Sequence, residues 1–144
     1  MTTPDLPQRL ASALTEALPV VQESDGAITV HYDETFASLR VVPVAEGLDL
    51  VALTQMLVWD QPLDAKLRAK VAEHAHATLL GTVSLAAKSG EAAVAASAKR
   101  NSKKTADVLL RYNFPGNGLS DEALRTLIMM VLAAGADVRR SLLG

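Results

Sequence analysis

The feature that most constrains this chain is a change of hydrophobic period near its end. Val108, Leu110, Tyr112 and Phe114 alternate with Asp107, Leu109, Arg111 and Asn113, the two-residue period of a strand. Pro115-Gly116-Asn117-Gly118 ends that run. From Ser120 the period becomes helical, with Leu124, Leu127, Ile128, Val131, Gly135, Val138 and Leu142 on one stripe. Ser120 suits an N-cap, Asp121 and Glu122 suit the positive end of the helix dipole, and Arg139 and Arg140 suit the other end. Met129, Met130 and Leu132 fall outside the stripe. The helix is therefore apolar over more of its circumference than one sheet face covers, and a second surface is expected to bury them.

The same two periods organise the rest of the chain. Leu6, Leu10, Leu14 and Leu18, with Ala13 and Ala17 beside them, mark a first helix closed by Pro19. Ile28, Val30 and Tyr32 alternate with Thr29 and His31 as a strand, Asp33-Glu34-Thr35 reads as a turn, and Phe36–Val44 reads as a second strand. Glu46-Gly47 offers the next turn before a strand from Leu48 to Trp59. In that strand Leu50, Ala52, Met56 and Val58 are predicted to face one way and Val51, Leu53, Leu57 and Trp59 the other. Both faces are then apolar, one expected to meet a helix and the other a partner. Leu63, Leu67 and Val71 follow Pro62 and Asp64 as a second helix, with Lys66, Arg68 and Lys70 off the stripe. Leu79, Val83 and Leu85 alternate with Thr82 and Ser84, and Gly81 marks a bulge or a close backbone approach. Residues 87–104, small and ending in Lys99, Arg100, Lys103 and Lys104, read as a flexible excursion with helix at its Ala-rich centre.

The expectation is one α+β domain over residues 1–144, with an antiparallel sheet of five or six strands packed with three helices in the order α-β-β-β-α-β-β-α. At this length folding buries roughly two thirds of the chain's surface, enough for a single core. Hydrophobic residues are 49% of the chain but aromatics only 3%, so Ala, Leu and Val must build that core. With 14 basic against 16 acidic residues, the net charge of −2 supplies no general field for nucleic acid or acidic lipid. Neither is expected as a partner. The absence of cysteine excludes disulfides and thiolate chemistry. Met1–Asp5 lacks the basic and apolar parts of a secretory leader, and no apolar run has membrane-spanning length, so a cytoplasmic location is expected.

No pattern of catalytic or cofactor residues emerges. His74 and His76 stand two apart, a spacing that points helical side chains to nearly opposite sides, and His31 supplies no third ligand to them; no metal is expected. The carboxylates Asp33, Glu34, Asp49, Asp60, Asp64, Glu73, Asp121 and Glu122 fall in turns, strand faces or first helical turns, without an acid–base pair. Gly116-Asn117-Gly118 lacks the Lys-Ser/Thr of a phosphate loop, and Asp121 and Glu122 would repel an anion there. The basic group at 99–104 has no interleaved aromatic to stack on a base, and Ser84, Ser102 and Ser120 lack a nucleophile elbow. The reading is non-enzymatic, with no cofactor.

Leu110-Arg111-Tyr112-Asn113-Phe114-Pro115, Gly118-Leu119-Ser120-Asp121-Glu122-Ala123-Leu124 and Ala134-Gly135-Ala136-Asp137 together resemble the YbjN-like proteins of bacteria, which look akin to the CesT-like type III secretion chaperones. The resemblance covers the C-terminal third by residue pattern and the remainder by element order. It implies an antiparallel sheet backed by helices, a homodimer, and a chaperone-like or adaptor role in binding a client protein or peptide; some YbjN-like members carry a sensory-transduction label. Met56, Trp59, Met129, Met130 and Leu132 are the expected partner-binding residues. The alternative is a small-ligand-sensing domain or an enzyme whose polar site assembles from Tyr32, Arg40, Arg111 and Tyr112.

Overall fold

Each described helix starts on a polar side chain that accepts a backbone N–H. In the computed structural model, which describes residues 5–87 and 104–144, helix α1 spans Leu6–Thr15. Asp5 caps it and accepts from Gln8 N at 3.0 Å, while Gln8 Oε1 accepts from Asp5 N at 3.2 Å. Asp64 caps α2 (Ala65–Ala77) by accepting from Leu67 N at 2.8 Å. Ser120 caps α3 (Asp121–Leu143) through Ala123 N, as its sequence predicts.

The strands are β1 (Val20–Gln22), β2 (Ile28–Tyr32), β3 (Thr35–Ala45), β4 (Leu48–Pro62), β5 (Thr82–Ala87) and β6 (Thr105–Pro115). They form one antiparallel sheet in the order β1-β2-β3-β4-β6-β5. The α+β architecture, three described helices and strand-helix order agree with the sequence reading, while β1 is a three-residue edge strand too short to leave a periodic signal. Between β5 and β6, the excursion predicted at 87–104 lies outside the described residues except for its two ends. No helix among the described residues is long and apolar enough to cross a membrane.

One face of the sheet carries the core. Ile28, Val30, Ala37, Leu39, Val51, Leu53, Val108, Leu110 and Phe114 are buried there, together with Leu10 and Leu14 of α1, Leu67 and Val71 of α2, and Leu124, Ile128 and Val131 of α3. Arg125 of α3 donates to Ala13 O of α1 at 2.9 Å, and His74 of α2 lies 3.1 Å from Ser141 Oγ of α3, so the three described helices share that side. Gly135 lets α3 pass close over β4: a Cβ there would overlap the amide of Gln55 and stand 2.5 Å from its Cδ. Gln55 is fully buried. Its Nε2 donates to Thr35 Oγ1 at 2.9 Å and to Leu132 O at 3.1 Å, while Oε1 has no partner among the described residues. This contact fixes how α3 sits on the strands.

Two expectations change. Strand β4 does not alternate to its end, because Met56 pairs with Leu109 and Val58 with Val108, leaving Leu57 as a bulged extra residue. Leu57 and Val58 are therefore both buried, and Trp59 turns to the side of Met56. One face meets the described helices as expected, and no described helix lies on the other, the Met56 side. Finally, Leu79 belongs to the connection before β5, where it is 89% exposed. The chain turns into β5 at Gly81, whose φ of +84° and 2.7 Å ideal-Cβ distance to Leu110 Cδ2 bear out the close approach read from sequence.

Candidate partner-binding face

Cross-strand register decides what the uncovered face carries. His31, Phe36, Met56, Leu109 and Ser84 occupy one row from β2 to β5. Trp59 joins the row from beyond the bulge, its ring centroid 6.0 Å from that of Phe36, which is 6.5 Å from His31. Phe36 is 39% and Trp59 45% exposed, while Met56 and Leu109 between the strands are half-buried. Single exposed apolar side chains are ordinary on a protein surface; a contiguous row with two aromatic rings is the less common case.

The bulge that turns Trp59 outward is held from the opposite side of the sheet. Arg139, in the last turns of α3, donates to the carbonyl of Leu57 at 2.7 Å, and its guanidinium lies 3.6 Å from Glu34 Oε2. Arg140 beside it pairs with Asp33. Asp33 and Glu34 make the β2–β3 turn with φ of 43° and 63°, left-handed values that L side chains adopt at a cost. Two adjacent arginines thus anchor both the strained turn leading into Phe36 and the bulge leading into Trp59.

The next row of the open face is polar, with Thr29, Ser38, Thr54, Arg111 and Thr82 side by side. Thr29 bonds Glu23 at 3.0 Å, but Ser38, Thr54, Arg111 and Thr82 make no side-chain hydrogen bond or ion pair among the described residues. Arg40, one row further, is engaged by Asp25 at 2.7 Å; that guanidinium, helped by Ala27 N–H, holds the Asp25 carboxyl below its usual range. A hollow of about 560 Å³ opens beside Arg111, lined by Gly81, Thr82, Ser84, Tyr112 and Asn113 as well.

The predicted binding residues do not form one site. Met56 and Trp59 lie on the open sheet face, whereas Met129 and Met130 belong to α3 on the other side. Met130, 52% exposed, borders a recess of about 360 Å³ with Ala77, Thr78, Leu79, Leu80 and Ala134. Leu132 is no surface residue at all: it is fully buried in the core. Helix α3 packs on α1 as well as on the sheet, so its buried arc is wider than the stripe read from sequence, and the second surface for Leu132 lies within the chain. Phe36 and Leu109 do not stand out in sequence as binding residues, and Arg111 does so only for a small-ligand or enzyme site, although the period of β6 already separates Leu109, Arg111 and Asn113 from the buried set.

The other candidates separate likewise. Arg40 and Arg111 stand on the open face, whereas Tyr32 and Tyr112 pack toward the core and Tyr112 stacks on Phe114 at 5.3 Å; Arg111 and Tyr112 both border the hollow beside β5, but Tyr32 and Arg40 do not join them there. Asn117 of the Gly116-Asn117-Gly118 turn is clasped to Asp49, with Nδ2 donating to its Oδ2 at 3.2 Å. Among the described residues no three His, Asp or Glu side chains gather as a metal set. Lys99, Arg100 and Lys103 lie outside the described residues.

No protein-family model and no curated protein matches this chain. The fold is nevertheless a recognisable type, an antiparallel α+β sheet with its described helices on one side. A solved structure of that type is the crystal structure of YbjN from E. coli, provisionally described as a transcription regulator, with a TM-score of 0.58, 10% identity, and cover of 96% of this chain and 91% of that one. This chain therefore has a YbjN-like fold.

Proposed function

We propose that this chain is a non-enzymatic, cytoplasmic protein-binding module, an adaptor or chaperone-like domain that takes a partner's peptide segment on the open face of its sheet. The observation that carries the reading is the row Phe36, Met56 and Leu109 with Trp59, apolar and uncovered by any described helix. Aromatic and methionine side chains of this kind suit a peptide-binding surface, since they give large contact area and adapt to different side chains. The fold likeness to YbjN is compatible with a regulatory role exercised through protein contacts, and the kinship to CesT-like secretion chaperones that the YbjN-like sequence resemblance implies suggests client peptide segments as partners.

A displayed library of random peptides, selected on the wild-type chain and on a Phe36→Ser/Trp59→Ser double variant, tests this reading. The wild type is expected to enrich apolar segments and the folded double variant to lose them. No enrichment on the wild type, or the same peptides on both, contradicts it. A specific feature also favours a homodimer: Leu79 and Met130 are both exposed around the helix-side recess. Light scattering across a dilution series is expected to give a dimer that Leu79→Glu/Met130→Glu splits; a monomer at high concentration contradicts that part alone.

A further inference from the structure

We infer that the partner segment carries a carboxylate and that Arg111 reads it, an inference that rests on the open face being the binding surface. Phe36, Met56 and Leu109 form an apolar row, and two residues further along each strand lies the row of Ser38, Thr54, Arg111 and Thr82. No carboxylate stands in either row among the described residues. Asp107, on the same face, is four residues from Arg111 along β6 and accepts from Asp60 N at 3.0 Å. Arg111 is therefore an exposed cation with no internal partner among the described residues, flanked by hydroxyls that likewise bond nothing there.

A guanidinium presents a planar fork that matches a carboxylate with two parallel hydrogen bonds, and neighbouring Thr and Ser hydroxyls can donate to the oxygens that remain. The charge count favours a carboxylate over a phosphate group. Arg40 is already neutralised by Asp25, so this part of the face offers one cation, a match for a single negative charge but not for the nearly doubly charged phosphate. The geometry sets the spacing too. The two rows are two strand residues apart, about 7 Å. An Asp or Glu seated at Arg111 thus leaves an apolar side chain two positions away in an extended segment to lie over Met56 and Leu109.

The test uses the same displayed library on the wild type, on Arg111→Glu and on Phe36→Ser, with enriched peptides then synthesised and titrated. The wild type is expected to enrich peptides with Asp or Glu two positions from an apolar residue. Arg111→Glu should weaken those peptides roughly tenfold to a hundredfold, the range expected for losing one charge-assisted pair, and should enrich Lys or Arg instead. Apolar peptides without acidic bias, lost in Phe36→Ser but bound equally by Arg111→Glu, overturn this inference and leave the binding face standing. Peptides that bind only when phosphorylated, or shielding of the face by a second copy as concentration rises, also overturn it. No enriched peptide on any variant removes the proposed function itself.

Discussion

The two faces of this sheet are built from alternating residues of the same strands, yet they follow different rules. On the helix side of β6, Val108, Leu110 and Phe114 are buried in the core cluster that also holds side chains of the three described helices. On the open side, Leu109 and Arg111 of the same strand meet no described helix. The covered face is specified by packing: Gly135 admits the Gln55 amide, and Gln55 ties α3 to β3 and β4. The open face holds rings, methionine and polar groups on which no described helix packs. Side chains that stabilise a monomer should be costly to remove, whereas those kept for a partner should be cheap, and a single strand offers both.

The sharpest way to break that comparison is a pair of neighbours on β6. Leu110→Ala should cost about 3–4 kcal/mol in urea unfolding because it leaves a cavity in the core, whereas Leu109→Ala should cost about 1 kcal/mol or less. Equal costs would mean that both faces are packed. Gly135→Ala comes next, with an expected loss of about 2–3 kcal/mol from overpacking against Gln55, measured the same way. Arg139→Met removes the donor to the bulged Leu57 carbonyl; about 1–2 kcal/mol should be lost, and the Trp59 emission maximum should shift as the bulge relaxes. A loss of stability with unchanged Trp59 emission would uncouple that arginine from the open face.

The smallest effect concerns the exposed Asp25–Arg40 pair at the edge of the open face. The Asp25 carboxyl is held below its usual range chiefly by its hydrogen bond from Arg40, so its contribution is present above the unfolded-state value and fades as pH falls through the lowered folded one. The stability difference between wild type and Asp25→Asn should accordingly shrink toward acid pH, and it should be small throughout because the pair is exposed. A difference that grows with acidification would reverse the sign of this linkage.

Much of the covered half was legible in sequence because it depends on local signals. The alternation of β6, the caps at Asp64 and Ser120, and the close approach at Gly81 all declare themselves within a few residues. What sequence did not disclose is long-range. The bulge at Leu57 depends on an arginine 82 residues away, so the strand pattern alone extended the alternation and put Trp59 on the wrong side. Leu132 looked surplus because a single stripe ignores how widely the rest of the chain wraps this helix, with Leu132 fully buried in the core. The open face was likewise half visible: Met56 and Trp59 stood out by their residue type, but placing them beside Phe36 and Leu109 required the register across the strands.

The central claim, that the face around Trp59 is open in the free chain and closes on a partner, has a built-in reporter, since Trp59 is the single tryptophan of the sequence. Acrylamide quenching of its fluorescence, measured at low chain concentration with and without a peptide selected on the wild type, tests that claim directly. Ready quenching is expected in the free chain and marked protection at peptide saturation; a Trp59 already shielded in the free monomer, or equally quenched with peptide bound, would contradict a face that is open and closes on a partner.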